Sequence, residues 1–428
     1  MKRTRPLSLG LGNVSQADLE AAPDRTPRAA RASGLDRSLC RALLRAAGSP
    51  PVALRLWNGE VVSTADAAPV ATVVLRDRGA LYRLIRNPDL HFGDLYSVGR
   101  IDVEGDFVAL LEAIYRGMGH LHGNALVRLR ERLTNRPRVN TLAGSRENIH
   151  HHYDLGNEFY RLWLDTAAMQ YTCAYYPDPA MSLEQAQVAK LDHVARKLRL
   201  KPGDRVVEAG CGWGGLARHF ARSYGVTVRA YNISSEQVAF ARERARDEGL
   251  ADRVEYVLDD YRNIEGSYDV FVSVGMLEHV GPTNYGTLGD VIDRCLAPHG
   301  RGFIHSIGRN RPGKMNAWIE KRIFPGAYPP SLGEMMAIFE PRRFSVLDVE
   351  NLRLHYAQTL RHWLERFERN AGTIEDMFDP FFVRAWRLYL AGSIAAFTTG
   401  SLQLFQVVFA RGADNELPWS RAHLHPQA

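Results

Sequence analysis

The chain has 428 residues, 45% of them hydrophobic, and a formal net charge of +6. That supports a sizeable core and, at about 100–200 residues per domain, two or three domains. No apolar run approaches the ~18 residues of a membrane-spanning helix, and the basic start lacks the apolar stretch of a signal peptide. The four cysteines, Cys40, Cys173, Cys211 and Cys295, show neither disulfide nor metal spacing, so reduced thiols of a cytoplasmic protein are expected. The positive excess suits an anionic partner or plain solubility equally well.

In chain order, residues 1–40 are rich in Arg, Ala, Pro and Asp and read as a mobile basic leader. A helix is predicted from about Leu35 to Ala47, stopped by Gly48-Ser49-Pro50-Pro51. Alternation of Val52, Leu54 and Leu56 before Asn58-Gly59 predicts a strand entering a hairpin. Thr72-Val73-Val74-Leu75 predicts another strand, and short helices follow at 78–86 and 107–116. Residues 45–120 thus form a small α+β domain with no catalytic cluster. Residues 121–147 read as a basic helix and linker, with Arg128, Arg130, Arg132, Arg136 and Arg138 either a solvated face or a contact for lipid phosphates. From 148 to 428 the chain reads as one further domain. Ser182 and Gln185 fit a capping box, and Leu191, Val194, Ala195 and Leu198 share the face of the helix that follows. Strands at 205–208, 226–231, 254–258, 270–274 and 302–307 alternate with helices, the rhythm of a parallel, doubly wound α/β sheet.

The first of these strands runs through Glu208 into Gly210, Cys211, Gly212, Trp213 and Gly214 before a helix. Glycines there let backbone approach a ligand at the carboxyl end of the sheet. The order E-A-G-C-G-W-G resembles the first motif of Rossmann-like methyltransferases, in which the acid orients the loop or the amine of S-adenosylmethionine. A dinucleotide enzyme would carry Asp or Glu about twenty residues later. Tyr231-Asn232-Ile233 stands there instead, which argues against NAD. Gln237, one turn into the next helix, is either a ribose contact or a capping partner of Ser234. Asp260 and Tyr261 offer a polar group and a ring for adenine.

Longer motifs extend the resemblance. His152-Tyr153-Asp154-Leu155-Gly156-Asn157, Met169-Gln170-Tyr171-Thr172-Cys173-Ala174-Tyr175, Val272 through Gly281, His305-Ser306-Ile307-Gly308, Ile323-Phe324-Pro325-Gly326 and Tyr356-Ala357-Gln358-Thr359-Leu360 together resemble the cyclopropane-fatty-acyl-phospholipid synthase family, from about residue 50 to 410. The domain holding Gly93-Asp94-Leu95-Tyr96 resembles that family's N-terminal lipid-associated domain. The resemblance implies a Rossmann-like class I methyltransferase sheet, S-adenosylmethionine as methyl donor, and methylation of the cis double bond of a phospholipid acyl chain. It also implies a bound bicarbonate that removes the proton as the ring closes. By motif, Cys173, Glu278, His305 and Tyr356 hold that bicarbonate, with the Ile307 backbone nearby. Tyr171 and Thr172 cover the methionine end of the donor, Gly210, Gly212 and Gly214 admit it, Asn232, Ile233 and Gln237 meet the ribose, and Asp260 and Tyr261 meet adenine. Many relatives carry Cys where Ser393 stands here, so that position is not expected to be chemical.

Each of the four reactive residues taken alone would more often be structural, since buried Cys is usually inert packing. The adjacent His150, His151 and His152 do not share a helix face and no metal is expected. The aromatic segments 318–324 and 378–397 are candidates to line an acyl tunnel, with ordinary core packing the equal alternative. The expected partner is a phospholipid membrane surface, anionic lipids favoured, with no nucleic acid. A homodimer attached peripherally to the inner face of the membrane is expected. A methyl-branched or methyl-alkene product, or methylation of small amines, remain the alternative outcomes.

Overall fold

A computed structural model of the chain describes residues 31–121 and 155–424. The leader up to residue 30, the arginines from Arg128 to Arg138, the linker and the three adjacent histidines lie outside the described residues. Among the described residues, no helix is long and apolar enough to cross a membrane. They fall into two compact units, and the units do not follow chain order.

The first unit holds residues 31–121 together with Lys314–Pro325 and Leu360–Ser401. Its first helix, Gly34–Ala46, is capped reciprocally by Ser33 and Asp36 and begins inside the stretch read as leader. Strands β1 (Val52–Arg55), β2 (Val61–Val62), β3 (Ala71–Leu75) and β4 (Ile101–Gly105) form a sheet in the order β2-β1-β3-β4. The predicted hairpin is present: β1 and β2 pair antiparallel, with Gly59 at φ +87° in the loop. Cys40, Leu44, Leu54, Leu75, Leu81 and Ile101 are buried in its core.

The Gly93–Tyr96 motif proves to be a packing device. A Cβ on Gly93 would lie 2.4 Å from the Trp318 ring, so only glycine lets that indole close on the helix Pro88–Ser97. Asp94 accepts from the Arg322 guanidinium at 3.0 and 3.1 Å, both groups buried. Arg384 lies 4.2 Å over the Tyr96 ring and donates to the Tyr96 carbonyl. The motif thereby collects two segments more than 200 residues away in the chain.

The second unit carries a seven-stranded sheet in the order β10-β11-β9-β8-β5-β6-β7. Its strands are β5 (Arg205–Ala209), β6 (Thr227–Asn232), β7 (Val254–Leu258), β8 (Tyr268–Val274), β9 (Leu296–Gly308), β10 (Phe344–Asn351) and β11 (Gln403–Arg411). The five predicted strands are the parallel set, β5 to β9. Strands β10 and β11 add an antiparallel edge that the sequence reading did not contain. The capping box at Ser182 and Gln185 is formed, and Leu191, Val194, Ala195 and Leu198 are buried as the periodicity requires. From β5 the chain runs outward to β6 and β7, then returns to β8 on the other side of β5. The order reverses between β5 and β8, and a crevice outside the carboxyl ends of strands at such a reversal is where open α/β sheets bind ligands.

Candidate active site

The loop after β5 is shaped by its glycines. Gly210, Gly212 and Gly214 all have positive φ, at 82°, 53° and 75°. A Cβ on Gly214 would fall 2.5 Å from the Tyr256 ring, so that glycine is a packing requirement. A Cβ on Gly212 would meet nothing within 4 Å: it would point into open space where a ligand can lie. The amides of Gly210 and Cys211 both donate to the Tyr231 carbonyl, and Asn232 Nδ2 donates to the Gly212 carbonyl at 3.2 Å. The end of β6 therefore fixes the loop after β5.

Glu208 ends up wholly buried with Oε2 unpartnered. Burial pushes its carboxyl up to about 8, against the opposing charges of Lys190 and Arg218. A buried acid with an empty acceptor is the complement of a cationic amine. Gln237 Oε1 accepts from Asn232 at 2.8 Å and leaves Nε2 buried and unpartnered. Ser234 Oγ caps the Gln237 amide, but the Gln237 side chain does not reciprocate. That leaves a donor beside the loop, as the ribose reading needs. Asp260 Oδ1 accepts from the Arg262 amide at 3.0 Å, and the buried Tyr261 hydroxyl has no partner. Ile233 follows Asn232 directly, at the end of β6.

The loop after β8 carries the other half. Gly275 donates to the His305 carbonyl at 2.9 Å, which binds this loop to β9. Glu278 sits in the short helix Leu277–Val280, and its Oε1 accepts the Ile307 amide at 2.6 Å. Its Oε2 is buried without a partner. Burial pushes Glu278 up to about 7, opposed by hydrogen bonds from its own amide and that of Ile307. The Ile307 N–H, expected to face the bicarbonate, is therefore already held by Glu278. Its carbonyl accepts from the Ser306 hydroxyl at 2.9 Å.

His305 is 2% exposed and pairs across the sheet with Gln406. Gln406 Nε2 lies 3.2 Å from His305 Nδ1, so Nδ1 accepts and the ring proton sits on Nε2. Burial, with the charges of Lys190 and Lys197, holds this ring well below the usual histidine range. It is a neutral donor.

Cys173 is fully buried, its Sγ 3.1 Å from the Ala174 carbonyl and 4.0 Å from that of Leu352. Burial pushes its thiol up, the opposite of the shift that activates a thiolate nucleophile. Tyr356, also buried, stands four residues past Leu352 on the helix Arg353–Arg369. Leu352 itself donates to the Leu404 carbonyl on β11, close to the Gln406–His305 pair. Thus Glu278, His305, Cys173 and Tyr356, from four separate segments, converge at the same end of the sheet.

One residue of this site was not anticipated. Lys190 is 0% exposed and donates to Gln170 Oε1 and, at 3.1 Å, to Thr172 Oγ1. Burial pushes it down to about 8, while Asp165, Cys173 and Glu208 pull it up. Asp165 in turn accepts the amides of Ala168, Met169 and Gln170 at 2.7, 3.0 and 2.6 Å. Thr172 also gives its carbonyl to Gln187 at 2.9 Å, and Tyr171 packs its ring against Tyr160 and Trp163. The sequence signal was available: Gln187, Lys190, Leu191 and Val194 fall at i, i+3, i+4 and i+7, which puts two polar side chains on the buried face.

Ser393 and the two aromatic segments belong to the first unit, apart from these residues in the chain's division. Phe378, just before the helix Pro380–Thr398, stacks on Phe382 and Phe382 on Trp386, with centroids 4.1 and 5.5 Å apart, while Trp386 and Phe324 each meet Tyr389 edge-on at 5.2 and 5.5 Å. Phe382 and Trp386 are buried.

Residues 141–407 match the mycolic acid cyclopropane synthetase family, and residues 39–125 match a domain of unknown function. The chain is 44% identical over 271 residues to the cyclopropane-fatty-acyl-phospholipid synthase of Escherichia coli K12, covering 63% of this chain and 69% of that protein. It is 35% identical over 386 residues to a probable fatty acid methyltransferase of Pseudomonas putida, covering 88% and 96%. Among solved structures, the mycolic acid cyclopropane synthase CmaA1 in complex with SAH and CTAB superposes with a TM-score of 0.59 at 28% identity, covering 62% of this chain and 97% of that one.

Proposed function

Since the chain belongs to the mycolic acid cyclopropane synthetase family, and is therefore an S-adenosylmethionine-dependent methyltransferase of the cyclopropane-fatty-acyl-phospholipid synthase type acting on lipids, we propose that it methylates the cis double bond of phospholipid-linked acyl chains to form cyclopropanes. What supports this reading is that Glu278, His305, Cys173 and Tyr356 stand on segments tied to the ends of β9 and β11, at the end of the sheet that carries the glycine loop. A generic methyltransferase needs the loop alone.

The residues present fit the donor. Gly212 leaves room for it, the buried Glu208 carboxyl can accept from its amine, and Gln237 Nε2 can donate to a ribose hydroxyl. When bound, S-adenosylmethionine supplies a sulfonium methyl as the electrophile. The lysine beneath Gln170 and Thr172 holds the segment expected to cover the methionine end. Tyr261 and Asp260 offer the adenine a ring and a carboxylate.

The second group also fits. A bicarbonate needs donors for its charged oxygens and an acceptor for its hydroxyl. His305 Nε2–H and the Tyr356 hydroxyl are of the first kind, and Glu278 Oε2 is of the second. When bound, bicarbonate supplies the base for the proton lost as the ring closes. An alkene is a weak nucleophile, and its attack leaves positive charge on the acyl chain. Glu278 places fixed negative charge near that site once ionised, and the buried walls exclude water that would trap the cation. Cys173, a protonated thiol, forms part of the wall.

A mid-chain double bond lies deep in a hydrocarbon core ~30 Å thick, so the acyl chain has to leave the bilayer to react. We propose that it works at a phospholipid surface, with an anionic surface and a peripheral homodimer as the expected arrangement. The test is transfer of labelled methyl from S-adenosylmethionine. Label in the fatty acids of cis-monoenoic phospholipid, and none in saturated phospholipid, supports the reading; label in small amines instead overturns it.

A further inference from the structure

The helix turn that carries Tyr356 also grips the segment that carries Cys173, and it does so through backbone amides. Thr359 Oγ1 accepts the Ala174 N–H at 3.0 Å, while its own proton goes to the His355 carbonyl at 2.8 Å. His355 Nδ1 accepts the Tyr176 N–H at 3.0 Å. Residues four apart on a helix share a face, so the two acceptors stand side by side. Between the two gripped amides, Tyr175 is sandwiched. Its ring stacks on His193 at 4.0 Å and 2°, and on His355 at 5.1 Å and 14°. The Tyr175 amide is anchored separately, to the Ala186 carbonyl at 3.1 Å.

Both hydrogen bonds have a fixed sense. Thr359 is fully buried and its proton is committed, so only its lone pair faces Ala174. His355 accepts at Nδ1 only while its proton is on Nε2, the neutral ring. Burial keeps it on that side, against the raising influence of Glu350 and with the lowering one of His193. Cys173 immediately precedes the first gripped amide, and Tyr356 immediately follows His355.

We propose that His355 and Thr359 are positioning residues for the lipid reaction, a two-point clamp on the Ala174 and Tyr176 amides that fixes Cys173 in register with the helix turn bearing Tyr356. The inference rests on reading Cys173 and Tyr356 as part of the reaction site. Neither clamp residue needs to touch substrate or donor. A slip of one hydrogen bond moves the wall and the hydroxyl relative to each other by an ångström or more, and misplacement of about 1 Å costs roughly a hundredfold in rate.

The experiment compares substitutions that remove each acceptor with substitutions that keep it. Thr359→Val removes the hydroxyl at constant shape and Thr359→Ser keeps it. His355→Phe keeps a ring without the acceptor, and His355→Asn keeps an acceptor where Nδ1 lies. Turnover is measured on the full chain with S-adenosylmethionine and cis-monoenoic phospholipid vesicles, beside thermal unfolding. For the Val and Phe variants we expect kcat to fall about tenfold to a hundredfold with KM for S-adenosylmethionine within about twofold, and the Ser and Asn variants to recover to within about threefold of the parent. Unchanged kcat in the Val and Phe variants overturns the clamp. So does an equal loss in the Ser and Asn variants, or a loss that only follows the fraction of folded protein. Failure of the underlying reading looks different: the unsubstituted protein itself would then transfer no methyl to lipid.

Discussion

The Ile307 amide donates to Glu278 Oε1 at 2.6 Å and leaves Glu278 Oε2 buried with no partner. One oxygen is thus a structural tie between the loop after β8 and the end of β9, and the other is free for chemistry. Glu278→Gln should keep the tie only if the amide turns its oxygen to Ile307, and it then presents a donor where an acceptor is needed. We expect kcat to fall by about 10²–10³, the scale seen when one fixed electrostatic group is removed, with little change in KM for S-adenosylmethionine. The ionised carboxylate is the form that accepts the bicarbonate hydroxyl and faces a cation. Since burial pushes this group up to about 7, turnover should rise with pH through that value, and the Gln variant should lack that limb.

Glu208 predicts a proton linkage. In the free protein, burial pushes its carboxyl up to about 8, so at neutral pH it is mostly protonated. A cationic amine settling against it favours the carboxylate and expels the proton. Affinity for S-adenosylmethionine should therefore strengthen as pH rises toward 8, and calorimetry at pH 7 in buffers of different ionisation heat should register proton release. Glu208→Gln should bind more weakly, with no such release.

The same carboxyl bears on stability. A group whose folded value exceeds its unfolded one holds more protons when folded, so stability falls as pH rises between about 4.5 and about 8. Glu350 works in the opposite sense. Burial alone would raise it, but His193 and Lys197 outweigh burial and hold it at about 2, so its contribution is present above the ordinary carboxylate range and lost as pH falls toward 2.

Lys190→Met should separate folding from donor binding. Methionine fills the buried volume, while Gln170 Oε1 and Thr172 Oγ1 lose the ammonium. Each buried polar group left without its partner costs about 1–3 kcal/mol. The expected result is a lowered Tm together with weaker S-adenosylmethionine binding, read by thermal unfolding and calorimetry. Binding at parental strength would show that the lysine serves the core alone.

Two glycines of one loop should fail differently. Gly214→Ala drives a Cβ to 2.5 Å from the Tyr256 ring, so the loss is in folding. Gly212→Ala meets no protein atom within 4 Å, and its backbone conformation alone costs about 1–2 kcal/mol. Its main effect should fall on donor affinity, because its methyl enters the space left for the ligand. Unfolding curves and binding isotherms of the two variants check this.

How much of this was legible depended on how local each feature is. The loop from Glu208 to Gly214 and the parallel strands β5 to β9 were readable because strand, turn and helix signals sit within a few residues of one another. Strand β11 was not, since Gln403 to Arg411 is a buried apolar run that periodicity cannot tell from a helix. The joining of Trp318, Arg322 and Arg384 to the Gly93–Tyr96 motif is a long-range event with no local signature. Among the reactive residues, family resemblance supplied Cys173, Glu278, His305 and Tyr356. It did not supply what holds them: Ile307 on Glu278, Gln406 on His305, Thr359 and His355 behind Cys173. Those are cross-strand and cross-segment relations, visible only once the sheet is assembled.

The proposed reaction carries methyl to a lipid double bond and closes a ring. Its most direct test is the mass and unsaturation of the fatty acids recovered after incubation with S-adenosylmethionine and cis-monoenoic phospholipid. We expect chains heavier by one CH2 with the double bond gone and a cyclopropane in its place. Chains of unchanged mass, or heavier by one CH2 with a double bond still present, would contradict it.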